Sequence, residues 1–288
     1  MADLIISIII VSTLGIIAFF ILFNYVLQKS FHIDHVESNQ TPKDFGFDYE
    51  DRLIETENDK KIQIWDLNPQ KMAPVIIGVH GWANTSEKLL PVAKGLEDDF
   101  RIILLNTRNH GKSDDEKYST LITYSEDLLS AIAYAKERTE HTQPIILLGH
   151  SMGGAASIFT ASKDDQVKAV VSISTFASLN DIMLKEFHNR NVPGWLIQTL
   201  LSYVEFRLGG RLTDISPVTT INKINIPVLI LHGANDPVVD MECSERIEKA
   251  VQSGKIKRIV LPNHDHSSLL KDENLSKHIK KFLSSAIV

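Results

Sequence analysis

The residues Ile145-Ile-Leu-Leu148-Gly149-His150-Ser151-Met152-Gly153-Gly154-Ala-Ala-Ser157 decide how the rest of the chain is read. Four consecutive apolar residues followed by a glycine fit a strand buried on both faces, and the apolar stretch after Gly154 fits a helix. The turn between them must be sharp. Side chains flanking it would collide, so Gly149 and Gly153 provide clearance while Ser151 projects from the end of the strand. Gly-x-Ser-x-Gly alone is only moderately specific, because glycine and serine are common, and a purely structural glycine turn is the competing reading. The strand before it and the helix after it favour a serine placed for nucleophilic attack.

Working outward, short continuous apolar runs recur at Val75 to Val79, Ile102 to Leu105, Ala169 to Ser174, Val228 to Leu231 and Ile259 to Leu261. Helical periodicity lies between them, most clearly over Tyr124 to Arg138, with acids in the first turn and bases in the last. Strand alternating with helix predicts right-handed crossovers, a mostly parallel twisted sheet with helices on both faces, and chemistry at the carboxyl ends of the strands. Ahead of these, Arg52 to Thr56 and Lys61 to Trp65 alternate around Asn58-Asp59, the composition of an antiparallel hairpin. Residues 178–220 carry Phe187, Trp195 and Phe206 among polar residues and are too long for a simple loop. They predict a small helical cap, with an ordinary crossover bearing one extra helix as the alternative.

The stretch 4–27 contains no charged residue and would be roughly 36 Å long as a helix, enough to span a bilayer with some tilt. A transmembrane anchor is the expectation. A signal peptide or a membrane-buried hairpin are the rivals, but Asp3 stands where a signal peptide needs a base and no small-x-small site follows Leu27. Lys29 after the span leans toward a cytoplasmic catalytic side. Residues 28–43, polar and ending at Thr41-Pro42, read as a tether to a domain over 44–288. With 23% charged and 43% hydrophobic residues, the chain as a whole is neither disordered nor polytopic. The net charge of -6 disfavours a nucleic-acid partner. The single cysteine, Cys243, allows no internal disulfide, and no Cys/His spacing matches a zinc site, so neither a metal nor a cofactor is expected.

A serine hydroxyl requires a base to remove its proton and a third group to orient that base. The strand at Val228 to Leu231 leads into His232-Gly-Ala-Asn-Asp236, which makes Asp236 the candidate acid, with Asp240 as competitor. The strand at Ile259 to Leu261 leads into Pro262-Asn-His264-Asp-His266, so the base is His266 or His264, and the position at the edge of the next helix favours His266. An oxyanion would need fixed amides: Met152, next after the serine, and Trp82, in His80-Gly81-Trp82 after an earlier strand. In the alternative reading Trp82 only packs and His80 is a satisfied core histidine.

Together these motifs resemble the α/β-hydrolase superfamily, specifically its compact serine esterase and lipase-like members. The resemblance runs from about Thr41 to the end, through the hairpin with Tyr49 and Trp65, His80-Gly81-Trp82, Arg108 to Ser113, Gly149 to Gly153, Gly233 to Asp236 and His266, in the order Ser, Asp, His. It implies an α/β-hydrolase fold in which Ser151 is the nucleophile, His266 the general base and acid, Asp236 its orienter, and Trp82 and Met152 the oxyanion donors. Arg108 to Ser113 would form a structural turn beside the oxyanion loop. One departure is Asp265, which precedes His266 where relatives usually carry glycine. His32, His35 and His188 read as exposed, Cys243 as a helix residue without catalytic partners, and Lys277 to Lys281 as a solvated helix face. The expectation is a membrane-anchored serine hydrolase of carboxylic esters, small or lipid, needing no cofactor. The alternatives are a non-catalytic binding module or a thioesterase or peptidase of the same fold.

Overall fold

In the computed structural model, which describes residues 1–138, 143–251 and 254–287, eight strands form one sheet in the order β1-β2-β4-β3-β5-β6-β7-β8. They are β1 Tyr49–Thr56, β2 Lys60–Leu67, β3 Val75–Val79, β4 Arg101–Asn106, β5 Ile145–His150, β6 Val167–Ile173, β7 Val228–Gly233 and β8 Ile256–Leu261. Only β1-β2 and β2-β4 pair antiparallel; every other neighbouring pair is parallel. The parallel strands are the continuous apolar runs, because both of their faces are covered. Successive side chains point to opposite faces: Val75, Ile77 and Val79 enter one core with Ile145 and Leu147, while Ile76, Ile146 and Leu148 enter the other.

The helices are α1 Ala2–Phe31, α2 Leu90–Leu96, α3 Leu121–Arg138, α4 Met152–Ala161, α5 Leu179–Asn189, α6 Gly194–Leu208, α7 Leu212–Ile215, α8 Pro217–Thr220, α9 Glu242–Lys249 and α10 Glu273–Ala286. Helices α3 and α4, with Ile247 of α9, close the first core, and α2 and α10 close the second. Helices α5 to α8 fill the interval 178–220 between β6 and β7. Ser178 starts α5 by accepting a hydrogen bond from the Asp181 amide at 3.3 Å. Most strands run one to three residues beyond the apolar runs that mark them, since ladder hydrogen bonds continue past the last apolar side chain. β1, β2 and β8 each extend by three residues, and in the hairpin the pairing continues from Thr56↔Lys60 to Tyr49↔Leu67.

Helix α1 is apolar and long enough, by length and composition, to cross a bilayer over Ala2–Val26. Its later turns rest on α6, with Phe20 and Phe23 ring centroids 5.5 and 5.6 Å from Tyr203. The stretch expected to be a tether, residues 28–43, is structured instead. The helix continues to Phe31, Ile33 is buried, and Val36 exchanges main-chain hydrogen bonds with Asn109 and Gly111 at 3.2 and 2.7 Å. The Asn39 and Gln40 amides donate to Glu87 Oε2 at 2.5 and 3.0 Å. A polar stretch without periodicity conceals such docking, because its bonds are made by main chain to groups distant in sequence.

Candidate active site

Ser151 stands between β5 and α4 at φ 54° and ψ -115°, a conformation that costs a non-glycine residue roughly 1–3 kcal/mol. The surroundings enforce it: the Ser151 amide donates to Ile173 O at 2.8 Å, and Ser151 O accepts from the Ala155 amide at 3.2 Å. The glycines around it are required by contact. A Cβ on Gly149 would lie 2.1 Å from Gly153 O, one on Gly153 2.4 Å from Val79 O, and one on Gly154 2.0 Å from Thr175 Oγ1. The serine borders a cavity of about 880 Å³, and its hydroxyl makes no hydrogen bond among the described residues.

Asp236 and His266 are brought together. The His266 Nδ1–H donates to Asp236 Oδ2 at 2.7 Å, and that carboxylate side chain is wholly buried. Its Oδ1 accepts from the amides of Val238 and Val239, both at 2.9 Å. Burial works to raise the Asp236 pKa, but the His266 hydrogen bond and the two amides outweigh it and hold the group below the ordinary carboxylate value. His232 adds a polar neighbour, its Nε2 donating to Val239 O at 3.0 Å and lying 3.5 Å from Asp236 Oδ2. The competitors go elsewhere: Asp240 accepts from the Glu242 amide at the start of α9, and His264 Nε2 lies 3.1 Å from Asp272 at the start of α10. Asp265 replaces the usual glycine with a turn cap, its Oδ1 accepting from the Ser267 and Ser268 amides at 2.9 and 2.8 Å.

The link between the serine and this pair is a residue that the sequence did not single out. His150 is buried beside Ser151, its ring centroid 4.7 Å from that of His266, and its Nε2–H donates to His266 O at 2.7 Å. Burial first, and the neighbouring His266 second, lower the His150 pKa to about 4, so it serves as a neutral donor that holds the His266 loop against the serine turn. Its only sequence signal is adjacency to Ser151. Nothing local indicates a partner 116 residues away.

A family model described as the alpha/beta hydrolase fold matches residues 74–216, the span from β3 to the end of α7. The chain has the α/β-hydrolase fold. The Pyrococcus furiosus esterase Pf2001 superposes with a TM-score of 0.72 at 22% identity, covering 89% of this chain and 99% of that one. In sequence, the YqkD protein of Bacillus subtilis is 23% identical over 230 residues, 78% of this chain and 75% of its own. The bifunctional esterase/perhydrolase DCH of Acinetobacter calcoaceticus is 25% identical over 264 residues, 74% of this chain and 92% of its own. An esterase-like α/β-hydrolase fold supports a hydrolase.

Within this fold the His80-Gly81-Trp82 loop lies against the serine turn: a Cβ on Gly81 would be 3.1 Å from His150 Nδ1 and 3.2 Å from Ser151 Cβ. Trp82 and Met152 both border the Ser151 cavity. The Met152 amide belongs to the first turn of α4, whose N–H groups have no intrahelical acceptor. His80 is a core histidine, accepting from the Thr107 amide at 3.2 Å and donating to Gly81 O at 2.8 Å, and burial keeps its pKa well below the usual value. Arg108 is fully buried and held by carboxylates, with Asp127 at 2.9 Å and Glu126 at 2.6 Å. Ser113 bridges Asn106 O and the Gln63 amide. Gly111 has φ +61°, and a Cβ there would lie 2.3 Å from Asn106 Nδ2. The Arg108 to Ser113 block therefore shapes the fold beside the site. Among the described residues no group of three His, Cys, Asp or Glu side chains is arranged to hold a metal ion.

Proposed function

We propose that the protein is a membrane-anchored serine hydrolase that cleaves carboxylic esters, lipid esters among them, through an acyl-enzyme. The observation that carries this reading is the Asp236–His266 pair, at 2.7 Å with the carboxylate covered, tied by His150 to the strained serine at a cavity wall. Ser151 Oγ attacks the ester carbonyl carbon while its proton passes to His266 Nε2, and Asp236 stabilises the imidazolium through Nδ1–H. The tetrahedral oxyanion accepts hydrogen bonds from the main-chain amides of Met152 and Trp82. As it collapses, the C–O bond to the leaving group breaks and His266 returns its proton to the departing oxygen. Water then repeats both steps, freeing the acid and the serine. The open Ser151 hydroxyl is compatible with this cycle, since such hydrogen bonds commonly tighten only when substrate binds. Anchoring rests on α1, and Lys29 at its end favours a catalytic domain on the cytoplasmic side.

The test is covalent labelling. A fluorophosphonate should modify the intact protein at Ser151 and leave Ser151→Ala unlabelled, and ester turnover in that variant should fall by about 10⁶. Equal labelling of parent and variant would show that another residue is the nucleophile. Absence of labelling in both would favour the non-catalytic binding module.

A further inference from the structure

The cavity at Ser151 is bounded by parts of the chain with no sequence proximity. Ser151 and Met152 form its floor, and Met183 and Phe187 of α5 with Leu196 and Leu200 of α6 form one side. The other side is the amino-terminal helix, through Phe19, Leu22, Phe23 and Val26. A helix that only anchors would turn its apolar side chains to lipid throughout its length. Here Phe20 and Phe23 of the last turns are half-buried while Phe19, Leu22 and Val26 stay exposed, Leu22 by 63%, so one face of these turns lines the Ser151 cavity and the rest looks outward, as Leu4 and Ile9 do. Polar contacts fix the helix against α6: Asn24 Oδ1 accepts from the Tyr203 hydroxyl at 3.4 Å and from the Arg207 guanidinium. On the same α6, Trp195 and Phe206 are 81% and 79% exposed. Large aromatic residues beside a membrane helix are characteristic of the interfacial zone.

We propose that α1 is a wall of the acyl-binding site, so that the substrate is a long-chain acyl ester drawn from the bilayer, its chain lying between α1 and α5–α6. This rests on the reading of Ser151 as the nucleophile. A cavity of about 880 Å³ lies in the upper part of the roughly 300–1,000 Å³ range of small-molecule sites and far exceeds what an acetyl group fills. Its α1 wall is hydrocarbon and aromatic, and its cap wall is mostly so, with Glu186, Arg190 and Asn191 among the apolar residues. Because the wall that meets the acyl chain belongs to the same helix that enters the bilayer, a chain can move from lipid to Ser151 along apolar surface.

The experiment uses the full chain in phosphatidylcholine nanodiscs and a hexadecyl fluorophosphonate carrying a diazirine at mid-chain. Ser151 Oγ displaces fluoride to form an O–P bond, and illumination then cross-links the alkyl chain to whatever lines it. Cross-links mapped to residues 19–26 and to α5 or α6 are the expected result. Cross-links confined to other parts of the protein, or to lipid alone, overturn the acyl wall while leaving the nucleophile in place. No phosphonate on Ser151 removes the nucleophile assignment and with it this inference. A second readout is the ratio of kcat/KM for p-nitrophenyl palmitate over acetate. Phe23→Trp, which fills the cavity, should lower that ratio at least about tenfold, the worth of roughly two buried methylenes, and Phe23→Ala should shift the preferred chain to greater length. Unchanged ratios in both variants, each still labelled at Ser151, overturn the proposal.

Discussion

The floor and the roof of the Ser151 cavity are built in opposite ways. The floor is the serine turn, where main chain approaches main chain so closely that Gly149 and Gly153 leave no room for one added carbon, and the Thr175 hydroxyl leaves none at Gly154. The roof, made by α1, α5 and α6, is held by large side chains meeting across long sequence separations, such as Phe20 and Phe23 on Tyr203. Where backbones touch, residue identity is dictated locally, and a short motif reports it. Where side chains touch, many apolar residues would serve, and no motif forms. The floor therefore should respond to substitution abruptly and the roof gradually.

The sharpest break falls on the polar pair beneath the floor. Asp236→Asn removes the charge that stabilises the imidazolium and lets an amide N–H select the wrong His266 tautomer, and kcat should fall by about 10⁴ with little change in KM. A loss below about tenfold would mean that Asp236 serves the loop and not the reaction.

Acid should loosen the floor before the roof. His150 and His110 have pKa values lowered to about 4 by burial, and burial also holds His80 well below its usual value, so the unfolded chain binds more protons than the folded one from about pH 6.5 downward. Stability is thus complete at neutral pH and declines as pH falls toward 4, each of the first two histidines costing about 3 kcal/mol at the end of that range. Asp127, raised to about 6 by burial against the pull of Arg108, acts with the opposite sign and offsets part of the loss. Asp236, held low, adds its own loss only below about pH 4, where its unfolded form begins to take up protons. Urea midpoints measured at pH 7 and pH 5 should show the decline, and His150→Gln should flatten it. A midpoint that rises at pH 5 would contradict this sum.

Gly153→Ala tests the floor by volume alone. Its Cβ would press on Val79 and His80 carbonyls, so a cost of about 1–3 kcal/mol and loss of fluorophosphonate labelling are expected. The smallest effect belongs to the roof. Tyr203→Ala removes the ring contacts with α1 and a long hydrogen bond, and should cost about 1 kcal/mol while leaving labelling intact. If Tyr203→Ala abolished labelling and Gly153→Ala did not, the contrast between floor and roof would be reversed.

The sheet was legible because its strands are buried on both faces and so appear as unbroken apolar runs, and the serine turn because only glycine tolerates its clearances. The candidates Asp236 and His266 followed from their places just beyond strand ends, but the sequence left Asp240 and His264 open beside them. That choice depended on which loop main chains touch: Gly233 allows the 264–266 loop to press on β7, where a Cβ would be 2.5 Å from His264 O. His150 as the tie to His266, the docking of residues 33–40 and the role of α1 as a cavity wall were not readable, since each joins groups whose residue types carry no record of their partners.

By itself, then, the amino-acid sequence determined the crossover architecture, the position of the serine turn and the presence of one helix apolar enough for a bilayer. These follow from local periodicity and from steric limits within a few residues. Tertiary structure alone decided which histidine meets the aspartate and which face of α1 looks toward the serine. Such pairings depend on the relative placement of distant segments, and many sequences of the same local pattern would satisfy them differently.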